Sequence, residues 1–234
     1  MGGSHIVITP VPSAGMREVR VFLLASVWSA LCYQRGQLLL HASVIQVGGS
    51  AVAFCGGSGV GKSSTAAWLL QRGYAPVSDD LCLCRLSPDK PPAVWASTTR
   101  LKLWNESLQA LGWDFKALER AYQGADKFHL PCQDLSPSLH HPLPLRAIYH
   151  LQWGELSVTR LKGSQALRCV VENATYRGDL LDAMTQAGPH WTQCAQLVSQ
   201  VPVWEFSRPR NWERMEAALQ MLREHWPASQ GITA

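Results

Sequence analysis

Gly56-Gly57-Ser58-Gly59-Val60-Gly61-Lys62-Ser63 is the stretch from which the rest of this 234-residue chain can be read. Gly56, Gly61, Lys62 and Ser63 fit the frame G-x-x-x-x-G-K-[ST] of a phosphate-binding loop. Glycines suit such a loop because the backbone must curl with its N–H groups inward, making an anion nest that larger side chains would obstruct. Lys62 then offers a point charge to the β- and γ-phosphates of ATP, and the Ser63 hydroxyl is a hard oxygen ligand for Mg²⁺. The nucleotide-binding set expected from this frame runs from Gly56 to Ser64.

The flanks agree with the motif. Ala51–Cys55 is a compact apolar run of buried-strand type, and Ser64–Arg72 is compatible with a helix that stops at Gly73. Strand, glycine loop and helix therefore follow in the required order, with the helix N-terminus aimed at the phosphates. Upstream, Leu38–Leu40 leads to His41, Ala42–Val47 runs out, Gly48-Gly49 turns and Ala51–Cys55 returns. That hairpin implies a mixed sheet in an α/β domain. Before it, Val21, Leu24, Ala25, Trp28, Leu31 and Cys32 predict a core-packing helix.

Downstream, Tyr74–Ser78 reads as a short strand ending in Asp79-Asp80, with Leu81–Cys84 continuing it. Because side chains alternate along a strand, only one of these carboxylates can face Lys62 while the pleat persists. Ser87–Pro92 reads as a loop. Arg100–Trp104 suits a strand with its cations on one face, and Asn105 and Asp114 read as N-caps of helices over 106–111 and 115–122. Gly124–Pro144, with Lys127, His129, Cys132, His140 and His141, reads as an irregular loop near the substrate in preference to a structural metal site. Ala147–Leu151, Leu156–Leu161 and Leu167–Val171 read as later strands. Helices over about 179–198 and through Trp212, Met215, Leu219, Leu222 and Trp226 enclose a last strand, Val201–Phe206.

Composition narrows the class. An apolar content of 47% and a charged content of 16% suit one globular α/β domain spanning 1–234, and a net charge of +4 is too mild to imply nucleic acid. The seven cysteines include no C-x-x-C pair and read as small buried hydrophobes in a reducing cytosol. No window has the run of apolar residues that a membrane span needs, and no basic-then-apolar leader is present, so the expected location is the cytoplasm, without membrane attachment.

Taken together, His41-Ala-Ser-Val-Ile-Gln-Val-Gly-Gly49, the loop itself, Leu70-Gln-Arg-Gly73 and Ser78-Asp-Asp80 resemble the catalytic domain of the HPr kinase/phosphorylase family, which phosphorylates a protein serine. His41 lies 21 residues before Lys62 and Asp80 lies 18 after it, as in that family. Ser64 stands where the family usually has Glu. Arg100–Trp104, Lys127–Pro131, Asn173–Arg177 and Val201–Arg210 further resemble small HPr-kinase-like proteins of ribosomal peptide biosynthesis, among them the lasso-peptide precursor kinases. The resemblance implies a P-loop domain of the phosphoenolpyruvate-carboxykinase-like type with a mixed sheet flanked by helices. It implies that Asp80 takes the acceptor proton, that His41 assists, and that Lys62 and Ser63 hold ATP and Mg²⁺.

The chemistry so implied is phosphoryl transfer from ATP to a serine hydroxyl of a peptide or small protein. A small-molecule kinase and a non-catalytic nucleotide-binding regulator remain the alternatives. Asp79 is either a partner of the metal or a solvated neighbour, and His41 has the alternative of a hydrogen-bonded core histidine. Arg100, Lys127 and Arg177 are the candidates for stabilising charge on the transferred group, with a surface role the alternative for each; for Arg177 that role is pairing with Asp179 or Asp182. The oligomeric state is left open.

Overall fold

Ala42–Val47 (β2) and Ser50–Cys55 (β3) are apolar at nearly every position, the pattern of strands covered on both faces. In the computed structural model, which describes residues 3–97, 100–122, 124–132 and 141–226, they form the expected antiparallel hairpin, from Ala42 opposite Cys55 to Val47 opposite Ser50. The glycine loop follows directly and enters helix α3, Lys62–Leu70. The other strands are β1 (Leu38–Leu40), β4 (Pro76–Ser78), β5 (Cys82–Ser87), β6 (Lys90–Val94), β7 (Arg100–Trp104), β8 (Lys127–Pro131), β9 (Leu143–Trp153), β10 (Ser157–Leu161) and β11 (Val203–Arg208). Among the described residues, nine strands make one mixed sheet, ordered β1-β5-β6-β9-β3-β2-β4, with β11 on β9 and β10 on β11. The contacts of β3 with β9 and of β9 with β11 are parallel. The chain is therefore a mixed α/β fold with helices on both faces of the sheet.

Alternation along the central strands sorts the core into two layers. Ile45, Val47, Val52 and Phe54 pack with α3, with the β7–β8 ribbon and with α8 (Met215–Arg223). Ala42, Val44, Ala51, Ala53 and Cys55 point the other way, under α5 (Gly163–Ala174) and α7 (Ala187–Gln200). Residues on the first face can therefore meet the loop from the α3 side, and those on the second from the α5 side.

Several local expectations are corrected. The chain from Tyr74 to Cys84 is not one strand: β4 pairs with β2 and β5 with β1, on opposite edges, and the chain turns at Asp79-Asp80. Ser87–Pro92 is a tight connection into β6, whose prolines lie before its ladder to β9 begins at Ala93. Within Gly124–Pro144, residues Lys127–Pro131 form β8, antiparallel to β7; residues 133–140, with His140, lie outside the described residues. Leu167–Val171 is helical, because Ala166, Cys169, Val170 and Asn173 bury one face at helical spacing; short apolar runs do not distinguish the two states.

Near the N-terminus, α1 (Met16–Phe22), a π-helical turn (Leu23–Val27) and α2 (Trp28–Gln34) run on without a break. This helix is not core-packing along its length. Only Ser29, Cys32 and Tyr33 are buried, while Phe22 and Leu24 are exposed. Asn105 is the first residue of α4 (Asn105–Ala110) and not its cap, whereas Asp114 does accept from the Lys116 amide, over a single 3-10 turn in place of the longer helix. Gly188-Pro189 falls in the first turn of α7, where proline is tolerated, and the helical stretch breaks earlier, after α6 (Gly178–Ala183).

Candidate active site

The loop between β3 and α3 is held in shape by contacts that leave little room for side chains. Gly61 has φ +89°, and a Cβ there would lie 2.7 Å from the Arg208 guanidinium; Gly56 has φ +131°, and a Cβ there would lie 2.8 Å from the Leu151 carbonyl oxygen. The Gly56 amide donates to Asn173 Oδ1 at 2.8 Å, so it faces α5 and away from the mouth of the loop. From the other end, Arg208 donates to the Val60 and Gly61 carbonyls at 3.1 and 3.3 Å and to Thr65 Oγ1 at 2.8 Å. Arg208 is 3% exposed, stacks on Trp153 and sits at the C-terminal end of β11, where the parallel strands point at the loop. Its burial pulls it down to about 10, which leaves it charged at neutral pH.

A cavity of about 680 Å³ opens at the mouth of the loop. Ser58, Gly59, Gly61, Lys62, Ser63 and Ser64 line it, together with His41, Asp80, Lys102, Lys127, Trp104, Trp153 and Arg208. Gly56, Gly57 and Val60 do not line it. The Lys62 ammonium folds back onto the Gly56 and Gly57 carbonyls at 2.8 and 3.1 Å, and burial, only partly offset by Asp80 and Asp79 among its neighbours, lowers its pKa.

The two carboxylates divide the site between them. Asp79 Oδ1 accepts from Ser63 Oγ at 2.9 Å and from Ser43 Oγ at 2.6 Å, and its Oδ2 accepts from the Lys102 amide at 2.9 Å. Burial and then the charge of Asp80 raise its pKa, against those three hydrogen bonds. Asp80 adopts φ +69°, a left-handed conformation that Asp tolerates better than most residues. That turn ends the strand alternation; of the two acids Asp80 lines the cavity, while Asp79 lies behind Ser63, bonded to Ser63, Ser43 and the Lys102 amide. Asp80 is ion-paired with the Lys102 ammonium. Burial works to raise it, but Lys102 first, and then Lys127 and His41, bring it below the usual carboxylate range.

His41 follows β1, its amide bonded to the Asn173 carbonyl at 2.7 Å and its ring edge-on to Tyr176. Burial and the nearby Lys62 push its imidazole down to about 4, so it is neutral at physiological pH. Lys127 reaches the cavity over the Trp104 ring. Arg100 does not line the cavity; it turns toward Glu119, at 3.8 Å. Arg177 is also outside, gripping both oxygens of Asp179 at 2.9 and 2.6 Å and reaching Ser26.

Sequence reasoning passed over Lys102, Ser43, Arg208 and Asn173. Lys102 sits two residues from Arg100 on the same face of β7, so alternation pointed to the face without distinguishing its members. The other three fall inside stretches singled out for other reasons.

Ser63 Oγ and Asp79 Oδ1, adjacent and both hard oxygen donors, fit a Mg²⁺ ion in chemistry. Among the described residues no helix is long and apolar enough to cross a membrane. No protein-family model and no curated protein matches the chain. Among solved structures it is similar to the HPr(Ser) kinase/phosphatase from Coxiella burnetii, at 9% identity and a TM-score of 0.39, over 80% of this chain and 95% of that one. The likeness is a distant one of fold.

Proposed function

We propose that this chain is an ATP-dependent kinase of the P-loop type that transfers the γ-phosphoryl group to a serine hydroxyl of a peptide or small protein, a ribosomal precursor peptide being the acceptor favoured by the sequence resemblance. The observation that carries this reading is the convergence of Lys62, Ser63, Asp80 and His41 on one cavity at the N-terminus of α3, with Asp79 bonded to Ser63 behind it.

The amides of the first turn of α3, with loop amides other than those of Gly56 and Val60, can receive phosphate oxygens, and Lys62 can swing from the loop carbonyls to them. Mg²⁺, which Ser63 and Asp79 would hold, supplies charge neutralisation on the triphosphate. Asp80 remains ionised at neutral pH and can accept the hydrogen bond of an incoming hydroxyl. The hydroxyl oxygen then bonds to the γ-phosphorus while the bond to the β,γ-bridging oxygen breaks. ADP leaves with that electron pair, and the hydroxyl proton passes late to Asp80. A carboxylate held this acidic acts mainly by orientation, which suits a loose transition state. Lys102, Lys127 and Arg208 surround the charge that spreads during transfer, and neutral His41 can hydrogen-bond without adding a competing cation. The rim carries exposed Trp104, Trp153 and Trp212, surfaces on which an extended peptide can lie.

The test is incubation with ATP, Mg²⁺ and serine-containing candidate precursor peptides, read by intact mass. A gain of one phosphate on a serine is the expected result. Transfer only to small alcohols would change the acceptor class, and ATP binding with no transfer to either would sink the reading.

A further inference from the structure

On the face of the sheet opposite the cavity, three metal-binding side chains meet outside the proposed machinery. Cys55 ends β3, His150 is its direct partner on β9, and Cys169 comes from α5 above them. Their ligand atoms all lie within 4.8 Å of one another, with Cys55 Sγ and His150 Nδ1 at 4.0 Å. Tetrahedral Zn²⁺ with bonds of roughly 2.0–2.3 Å holds its sulfur and nitrogen ligands roughly 3.6 Å apart, so closure needs a few tenths of an ångström for the Cys55–His150 pair and at most about one for any pair. We propose that Cys55, His150 and Cys169 form a site for a thiophilic divalent cation of the Zn²⁺ class, three protein ligands with a fourth position open.

The composition and surroundings fit this assignment. Two thiolates and an imidazole select Zn²⁺ over the hard Mg²⁺. A separate cavity of about 430 Å³, lined by His150 and Cys169 with Glu172, Glu205 and Arg168, gives an ion and a water a way in. Glu205 lies beside His150 on β11, so two carboxylates draw cations toward the thiols. Asn173 donates to the Cys169 carbonyl at 2.7 Å, which fixes the turn of α5 that carries Cys169; its amide also lies 3.4 Å from His150 Nδ1, a contact that an ion at that nitrogen displaces.

Asn173 is the residue whose Oδ1 holds the Gly56 amide, and Cys55 is the residue before Gly56. An ion at this site ties the root of the glycine loop to α5. Metal binding stands independently of the kinase reading.

The reduced 234-residue chain is titrated with Co²⁺ as a spectroscopic stand-in, then with Zn²⁺ in a thermal-shift assay. One equivalent of Co²⁺ should give thiolate-to-metal charge-transfer and tetrahedral ligand-field bands that Zn²⁺ displaces, and Zn²⁺ should raise Tm. Cys169→Ser and His150→Gln, each checked for native circular dichroism, should lose more than about tenfold in affinity, while Cys132→Ala, on the other face, should not. Absence of the bands, their survival in Cys169→Ser, or a Cys55–Cys169 disulfide whose reduced form takes up no metal would overturn the site. Metal binding without ATP binding would instead count against the kinase reading alone.

Discussion

Lys102 serves two acids in two ways, its amide bonding Asp79 and its ammonium pairing with Asp80. Removing the charge with Lys102→Met withdraws the largest influence holding Asp80 down, so the acid limb of the pH–kcat/KM profile should move to higher pH. An unmoved limb would detach Asp80 from the rate. Asp80→Asn should lower kcat by roughly 10²–10⁴ with ATP affinity little changed in equilibrium dialysis. Lys62→Ala should weaken both. At this scale the sequence was informative about position where spacing is rigid: His41, Lys62, Ser63 and Asp80 line one cavity, with Asp79 bonded to Ser63. It was uninformative where a face carries several cations, as with Arg100 and Lys102, because which one turns inward depends on the neighbours it meets, here Glu119 and Asp80.

The glycine loop is clamped between a helix and a strand end, by Asn173 behind Gly56 and Arg208 beside Gly61. Gly61→Ala forces a side chain into a left-handed conformation, at about 1–2 kcal/mol, and pushes it against a buried guanidinium. A fall in Tm of several degrees and a weaker ATP affinity by calorimetry are the expected results. Hairpin, loop and helix were legible because their signals are local: two apolar runs, a two-glycine turn and a motif. The ribbon of β7 and β8 was half legible, since β8 has meaning only when paired with β7, a contact between segments more than twenty residues apart. Helix α5 was misread because five apolar-rich residues carry no period that separates helix from strand; its partners on the sheet decide.

For the molecule as a whole, His41 and His129 are both pushed down to about 4, burial being the main cause in each. In the unfolded chain they titrate near 6.5. The folded state therefore favours their neutral forms, and that contribution is complete above about pH 6.5 and is lost as pH falls toward 4. Denaturant melts across this window should show declining stability, and His41→Gln with His129→Gln should flatten the decline; an equally steep decline in the double variant would place the acid sensitivity elsewhere. The mixed sheet was foreseeable from the hairpin, but the extent of β9 was not. One edge of this strand pairs with β6 near its start and with β11 farther on, while β3 lies along the other, so its eleven residues bind together the whole sheet.

Every amino acid but proline carries a main-chain amide, so the support that position 102 gives Asp79 does not depend on which side chain stands there. The companion role toward Asp80 depends on it entirely. Descendants of this chain are thus free to retune Asp80 by drift at one codon, leaving Asp79 anchored throughout.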